Sequence, residues 1–235
     1  MSVQITTLPY GSDPLNVLPA WVVQHCPPQA VVLEIGAGRG EHGYPAQIKQ
    51  HGAYLVGVDP DSAIVDNPYL DEKYQMTIEE FAAKHPRKFD CAYAFFVVEH
   101  VTDPVAFLTA CRALLKEGGA FFALTPNLQH YFGTMAKAST ALGVEDWLLR
   151  RLRGAEMIES YHFPVQYKLN DAHTIQRHAL QAGFRKVELC YFDMPARFEV
   201  YLPAFLRWAP RLYARCAYAL GLNRFMGFLM LKVTC

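Results

Sequence analysis

Short apolar runs alternate with helical patterns along most of the chain. Seven runs are predicted to be strands, at 31–36, 54–59, 73–78, 90–96, 120–125, 186–193 and 227–234. Between most of them, apolar residues recur at the three- and four-residue spacing of an amphipathic helix. Parallel strands need a crossover connection, which is usually a helix. The alternation therefore predicts an α/β fold, with a mostly parallel sheet and helices on both of its faces.

Two of the predicted helices have recognisable ends. The first covers 104–117, because Asp103 can cap its amino end and Gly118 can adopt the left-handed conformation that ends a helix. The second starts at Asn170 or Asp171 and leads into the sixth strand. Both helices are expected to pack their apolar side against the sheet.

Two other stretches do not fit the repeating pattern of strand and helix. Residues 1–29 carry a short helical pattern and are interpreted as a helical cover. Residues 128–169 follow the fifth strand and are rich in aromatic side chains. Ligands of open α/β sheets bind beyond the carboxyl ends of the strands, so this insertion is interpreted as a cap that shapes a substrate pocket. The alternative is a solvent-facing addition with its own small core.

Residues 195–226 form a further insertion, in which aromatic and leucine side chains alternate with arginines. The arginines, together with Pro203 and Pro210, interrupt any apolar run long enough to span a bilayer. Three interpretations stay open for this segment: packing on the sheet, a homodimer contact, and a position in a bilayer interface.

Composition limits the choice of function. The length of 235 residues, 52% of them hydrophobic, suits one domain over 1–235. Lys+Arg and Asp+Glu number 22 each, so no overall field favours a nucleic-acid partner. The amino-terminal residues lack a secretory pattern, which predicts a cytoplasmic protein. The 6 cysteines show no metal-ligand spacing, so we expect buried, reduced thiols and no metal site.

The most informative segment is 31–40, where an apolar run containing Glu34 leads directly into a glycine turn. Alternate glycines allow a sharp bend and a close approach of a ligand to the backbone. A dinucleotide fingerprint needs a further glycine at position 41, which holds Glu41. Asp59 ends the next strand, where a carboxylate can accept hydrogen bonds from ribose hydroxyls. The acidic surroundings suit a nucleoside with a positive amino group, such as S-adenosylmethionine.

Further motifs follow in order along the chain. Phe89–Val101 with Asp103–Pro104, Leu114–Gly119 and Phe121–Asn127 have the residues and spacing of a known family. Together with the glycine turn they resemble the class I S-adenosylmethionine-dependent methyltransferases, in the branch that includes the ubiquinone-biosynthesis enzymes. The resemblance covers roughly residues 30 to 127 and continues more weakly to about 193. It implies a Rossmann-like three-layer sandwich of seven strands, one of them antiparallel, with helical cap insertions.

The resemblance also implies a set of cofactor-binding residues. Glu34 would orient the amino group of S-adenosylmethionine, and Asp59 would hold its ribose. The remaining positions are those of the turn, the two strand ends that follow, and the fourth strand: Gly36, Ala37, Gly38, Gly40, Pro60, Thr77, Ile78 and Phe95. Family members often carry an acid for the adenine amino group where this chain has Thr77, so a hydroxyl replaces a carboxylate there.

Methyl transfer to oxygen or nitrogen sometimes needs a general base. His100 is the first candidate, because it follows the strand that ends at the cofactor, and imidazole titrates near neutral pH. His162 in the cap is the second, and His130 the third. The alternative for His100 is that the Glu99-His100 pair only fixes its loop, and for His162 that it is lid packing.

Three functions are therefore weighed. The first is a methyltransferase that uses S-adenosylmethionine, releases S-adenosylhomocysteine and acts on a small, apolar or lipid-linked metabolite. The second is a methyltransferase-like interaction or scaffold module without catalysis, and the third is a nicotinamide-dependent oxidoreductase. The missing third glycine argues against the last of these.

Overall fold

The computed structural model describes residues 2–40, 43–86, 88–143 and 165–235. Its strands are β1 Ser2–Thr7, β2 Val31–Ile35, β3 Tyr54–Asp59, β4 Glu72–Gln75, β5 Phe89–Phe95, β6 Leu115–Pro126, β7 Lys186–Phe192 and β8 Phe228–Thr234. They form one sheet in the order β1-β7-β8-β6-β5-β2-β3-β4. β8 runs antiparallel to both of its neighbours, and every other pairing is parallel. The predicted α/β sandwich, with a mostly parallel sheet and one antiparallel strand, is confirmed.

Helices connect the strands and cover both faces of the sheet. They are α1 Pro14–His25, α2 Pro45–Gln50, α3 Ile78–Lys84, α4 Pro104–Leu114, α5 Tyr131–Ala141, α6 Ala172–Gln181, α7 Pro195–Glu199 and α8 Trp208–Ala219. Short 3-10 helices cover Ser62–Asp66, Val98–His100, Ala204–Leu206 and Asn223–Phe225. Within the described ranges, none of these helices is both long and apolar enough to cross a bilayer.

The sheet has eight strands rather than seven, because residues 1–29 contain β1 as well as the expected helix. β1 pairs in parallel with β7 at the edge of the sheet, from Ser2 opposite Lys186 to Thr7 opposite Tyr191. Its side chains are exposed apart from the half-buried Thr7. Because the strand buries so little, it lacks the apolar run by which the other strands were predicted.

Two predicted boundaries are wrong for local reasons. The strand predicted to reach position 78 ends at Gln75, because Thr77 caps α3 and its backbone turns there. The helix predicted over 104–117 ends at Leu114, since Leu115 is already extended and pairs with Phe89 of β5. Gly118 does take a positive φ of 76°, but it lies after the helix, in an irregular stretch of β6.

Two apolar layers hold the sheet between the helices. Consecutive strand residues point to opposite faces. Leu33, Val56 and Phe121 therefore pack on the side of α3, α4 and α6, while Val32, Leu55 and Phe122 pack on the side of α1 and α2. Both faces of the central strands are buried, which is why their sequences are mostly apolar, with Glu34 of β2 as an exception.

The expectation of reduced thiols is wrong for one pair of cysteines. Cys26, just after α1, forms a disulfide with Cys91 of β5, and their Cα atoms are 6.4 Å apart. The two residues are 65 positions apart in sequence and meet because α1 packs across β5. Sequence spacing does not show such a contact. Cys111, Cys190 and Cys235 are free and buried as expected, whereas Cys216 is free but exposed.

Phe121→Ala tests the packing of the central layer. Phe121 is fully buried, and its ring lies edge-on to Phe107 at a centroid distance of 5.8 Å. Its truncation is expected to lower the free energy of unfolding by about 3–5 kcal/mol, because a cavity remains in β6. The control is Phe205→Ala, at a side chain that is 75% exposed, with an expected change below about 0.5 kcal/mol. Equal losses in urea denaturation would contradict this assignment of the core.

Candidate functional site

The turn after β2 lies at the carboxyl edge of the sheet and is tied to β3. The Gly36 N–H donates to the Val58 carbonyl at 2.8 Å, and the Gly38 N–H donates to Asp59 Oδ2 at 2.9 Å. Gly36, Gly38 and Gly40 have φ values of 71°, 45° and 74°, a region that favours glycine. The turn is therefore a bend that these three positions require.

The three glycines differ in which atoms lie where a side chain would begin. A Cβ at Gly36 would lie 2.3 Å from Val97 Cγ2, and one at Gly40 would lie 2.8 Å from Asn67 Oδ1. Both positions are thus small because the protein's own side chains approach them. A Cβ at Gly38 would meet no heavy atom within 4 Å. Gly38 is the glycine of this turn whose outer side is open to a ligand.

Asn67 supports the turn from beneath, and its role did not emerge from the sequence. It is fully buried, and its Nδ2 donates to the carbonyls of Ala37 at 2.9 Å and Gly38 at 3.2 Å. Its Oδ1 accepts the Tyr69 N–H at 3.0 Å. Asn67 follows a short 3-10 helix outside every motif, so the sequence carries no signal for this long-range contact.

Glu34 is a buried carboxylate one residue before the end of β2. It is 1% exposed, and neither of its oxygens accepts a well-formed hydrogen bond within the described residues. Burial raises the pKa of Glu34 to about 8, and it outweighs the lowering effect of the nearby Tyr93 and Tyr44 hydroxyls. The negative charge of Asp59 adds to the rise. Glu34 is thus mostly protonated at neutral pH while no cation is beside it.

Asp59 ends β3 and holds the turn in place. Its Oδ2 accepts from Gly38, and its Oδ1 accepts the Asp61 N–H at 2.7 Å. Burial raises the pKa of Asp59 in spite of these two hydrogen bonds. A carboxylate has about four lone-pair sites, so both oxygens keep the capacity to accept from a ligand. Pro60, next in sequence, is exposed at the same edge.

Thr77 and Ile78 lie beyond the end of β4, on the same edge as Asp59. The register of β3 and β4 pairs Asp59 with Gln75, two residues before Thr77. Thr77 is exposed, and its hydroxyl oxygen accepts the Glu80 N–H as the cap of α3. Its proton remains available to donate. The Ile78 side chain is buried in the core, so only its backbone can face this edge.

Phe95 ends β5 and stacks on Tyr44, with ring centroids 3.8 Å apart. The next residue, Phe96, has a φ of 52°, which is strained for a non-glycine residue. Its N–H donates to the Leu124 carbonyl at 3.0 Å and fixes the bend to β6. The backbone after β5 is therefore held in an unusual shape at the edge that carries Glu34 and Asp59.

His100 ends the short 3-10 helix that follows this bend and is half-buried. Its neighbour Glu99 is buried, and burial raises the pKa of Glu99 to about 8. Glu99 accepts from the Thr125 hydroxyl at 3.2 Å, and its carbonyl accepts the Gln166 N–H at 2.7 Å. Glu99 therefore has the role that was the alternative for the Glu99-His100 pair, because it fixes the loop to β6. The second candidate base, His162, lies outside the described residues.

His130 lies in a different environment from His100. It is 1% exposed, with Nε2 3.9 Å from Asp193 Oδ2, and its ring stacks on Phe198. Its Nδ1 accepts the Phe132 N–H at 3.3 Å. Burial lowers the pKa of His130 to about 3 and raises that of Asp193 to about 7, so near pH 7 His130 is uncharged and Asp193 is partly protonated. With Nδ1 engaged, His130 is fixed in the packing of the cap.

Comparison with known proteins identifies relatives of the chain. The family model described as a methyltransferase domain matches residues 12–189. A ubiquinone biosynthesis O-methyltransferase of Histophilus somni is 36% identical over 147 residues, which cover 57% of this chain and 59% of the relative. The corresponding protein of Saccharophagus degradans is 34% identical over 104 residues, or 41% of this chain and 43% of the relative. The chain thus spans roughly half the length of these curated relatives.

Solved structures with a similar fold cover almost the whole chain. A SAM-dependent methyltransferase from Archaeoglobus fulgidus has a TM-score of 0.56 at 16% identity and covers 93% of both chains. An S-adenosylmethionine-dependent methyltransferase from Mesorhizobium loti has a TM-score of 0.55 at 19% identity, over 93% of this chain and 96% of the other. These likenesses confirm the fold.

Asn67→Ala tests the support of the glycine turn. The change leaves the carbonyls of Ala37 and Gly38 and the Tyr69 N–H without their partner. Each buried polar group that stays unsatisfied costs about 1–3 kcal/mol of folding free energy. We expect a loss of at least about 2 kcal/mol in the free energy of unfolding. The control is Asn16→Ala, because Asn16 also makes side-chain hydrogen bonds but is exposed. Similar losses in chemical denaturation would contradict the role given to Asn67.

Proposed function

Because the chain belongs to the methyltransferase domain family, we propose that it transfers the methyl group of S-adenosylmethionine to an oxygen of a small metabolite. The observation that carries the proposal is the buried, mostly uncharged Glu34 near the end of β2, the strand that leads into the turn with the open side of Gly38. The names of the O-methyltransferase relatives favour oxygen over nitrogen as the acceptor atom. A non-catalytic scaffold has no supporting observation in the part of the chain that the structure describes.

The residues at this edge fit S-adenosylmethionine. Its amino group is positively charged, and Glu34 is a carboxylate that gains a counter-ion when such a group arrives. The open side of Gly38 leaves room for the methionine part, with Gly36, Ala37 and Gly40 shaping the bend. When bound, the cofactor supplies an activated methyl group on a positive sulfur.

The remaining cofactor residues follow from their place on the same edge. Asp59 keeps lone pairs for the ribose hydroxyls, with Pro60 beside it. The Thr77 hydroxyl and the Ile78 backbone are assigned to the adenine side. The backbone at Phe95, held by the Tyr44 stack and the strained bend after it, is assigned to the opposite wall. In this arrangement the chain acts mainly by positioning.

His100 is the residue that we assign as the general base. It lies at the carboxyl end of β5, next to the strained bend, and is partly accessible. Its role would be to take the proton from the acceptor hydroxyl, whose oxygen gains the methyl group while the methyl–sulfur bond breaks and S-adenosylhomocysteine leaves. Glu99 acts as a positioning residue, because it anchors the His100 loop to β6.

The acceptor is assigned to the side of the cap. Phe132 of α5 contacts Phe198 and Tyr201 of the 195–226 segment, with ring centroids 5.1 and 4.6 Å away. These aromatic side chains follow the carboxyl ends of β6 and β7, where an acceptor would meet the methyl group. The apolar character of this side favours an aromatic or lipid-linked acceptor. The outer part of the same segment is free for contact with a lipid interface or a second copy.

Calorimetric titration with S-adenosylmethionine tests the cofactor assignment. Glu34 loses its proton when the ammonium group binds, so we expect release of about one proton near pH 7 and an affinity that rises up to about tenfold per unit from pH 6 to 7.5. Glu34→Gln abolishes this release and weakens binding about tenfold. Gly38→Val fills the open side and removes binding. Glu99→Gln is the matched control, because Glu99 is equally buried with a similarly raised pKa but lies away from the ammonium group.

Two results of that titration would contradict the cofactor assignment. One is the absence of saturable S-adenosylmethionine binding together with saturable binding of NADH. The other is tight binding with no proton release in wild type, measured in buffers of different ionisation enthalpy.

His100→Gln tests the base. S-adenosylhomocysteine production is measured on a panel of phenols and prenylated phenols. We expect kcat to fall about 100-fold or more with loss of the acidic limb of the pH profile, because the proton acceptor is gone. The Kd for S-adenosylmethionine should change less than about twofold. His51→Gln is the control, at an exposed residue after α2. An unchanged kcat would show that His100 only fixes its loop.

A further inference from the structure

The 195–226 segment differs in charge from the rest of the chain. It contains arginines at 197, 207, 211, 215 and 224, with Glu199 as its one acid and no lysine. The complete chain balances 22 basic against 22 acidic residues, so this segment is a local basic excess. A segment with such an excess attracts anionic surfaces over about a Debye length.

α8 has an outward side that does not resemble a water-facing helix. Pro210, Ala214 and Ala217 are buried beneath it. The exposed positions recur at three- and four-residue spacing and form a single stripe: Trp208, Arg211, Leu212, Arg215, Cys216 and Ala219. The charged residues of this stripe are both arginines, and its other members are apolar or weakly polar. Arginine, tryptophan and leucine are residue types that are common in helices at a bilayer interface.

Residues directly before and after α8 are also apolar and exposed. Phe205 is 75% exposed, Trp208 58% and Leu212 52%, while Leu220 and Leu222 follow the helix at 70% and 43%. We call these side chains, together with Arg207, Arg211 and Arg215, the arginine–aromatic face. Large exposed apolar groups gathered in one segment are uncommon on a surface that meets only water.

Two polar side chains of this face, Trp208 and Arg211, already have hydrogen-bond partners within the protein. The indole N–H of Trp208 donates to the Phe205 carbonyl at 2.9 Å, so the ring can leave water without losing its hydrogen bond. Arg211 forms a bidentate pair with Glu199, with N–O distances of 2.6 and 2.9 Å. Arg215 has no acidic partner within the described ranges of the chain. Its charge is therefore available to an anion outside the protein. Arg207 is also exposed, although its Nε–H donates to the Leu202 carbonyl at 3.4 Å and its charge helps to lower the pKa of Glu199.

We propose that the arginine–aromatic face docks on a lipid bilayer surface that carries anionic headgroups. Trp208, Phe205 and Leu212 enter the interface, and Arg207 and Arg215 meet the headgroups. A symmetric contact between two copies is less suited to this face, because it would place arginines against arginines. The inference goes beyond the proposed reaction and does not rest on it.

The 195–226 segment joins the sheet at the same edge as the proposed active site. The segment leaves β7 at its carboxyl end and returns to β8 at its amino end. Because β8 is antiparallel, both points lie on the edge of the sheet that carries Glu34, Asp59 and His100. The docked segment is therefore anchored at both of its ends on the edge at which an acceptor is assigned.

Vesicle co-sedimentation of the full chain tests the proposal. Vesicles of phosphatidylcholine alone are compared with vesicles that also contain phosphatidylserine, at low and high salt. We expect at least tenfold tighter binding to the anionic vesicles, lost at high salt. Arg207→Gln and Arg215→Gln should each weaken it about fivefold, and Phe205→Ser with Trp208→Ser should abolish it. Lys84→Gln and Val65→Ser are the matched controls, at exposed residues of α3 and of the 3-10 helix after β3.

Each outcome decides for or against the proposal. Equal sedimentation with both vesicle types, or no sedimentation, would overturn it. So would a concentration-dependent dimer that Phe205→Ser with Trp208→Ser disrupts without any vesicle binding, which would assign the face to a second copy. S-adenosylmethionine affinity is measured in parallel for every variant. Loss of cofactor binding with vesicle binding intact would contradict the proposed reaction and leave the docking surface standing.

Discussion

Burial of two carboxylates at one edge of the sheet is the constraint on which the rest of the structure depends. Glu34 lies inside this edge with no well-formed hydrogen bond, while Asp59 accepts two backbone N–H groups and remains partly available. An unpaired buried charge is costly in free energy, so Glu34 holds its proton until a cation arrives. Its contribution to stability is complete below pH 4.5 and is lost as pH rises through about 8.

Several neighbouring residues fix the backbone at this edge but are not assigned to the cofactor or the acceptor. Asn67 holds the carbonyls of the turn, Val97 fills the space that Gly36 leaves, and the strained bend at Phe96 is fixed by Leu124. Further along the edge, Glu99 is hydrogen-bonded to β6. Asn67, Asp59 and Glu99 thus fix the backbone at this edge, whereas Glu34, close to the Tyr93 and Tyr44 hydroxyls, is the carboxyl that we assign to a ligand.

The sequence predicted most of the fold because six of the seven predicted strands are buried and apolar, and because the glycine turn has a fixed spacing. It missed β1, whose exposed side chains leave no pattern, and Asn67, whose contacts join positions about thirty residues apart. It also missed the Cys26–Cys91 disulfide, since only the packing of α1 on β5 brings these residues together. The close approach of Val97 to Gly36 was not visible in the sequence either, since Val97 lies about sixty residues away.

In the proposed mechanism, Glu34 is neutral in the free protein and charged beside the cofactor. Carbon-detected NMR of the Glu34 side-chain carboxyl, titrated with and without S-adenosylhomocysteine, measures this directly, with Glu34→Gln to assign the signal. We expect a pKa of about 8 for Glu34 in the free protein and a clear fall when the ligand is bound. A pKa near 4.5 in the free protein, or one that the ligand leaves unchanged, would contradict it.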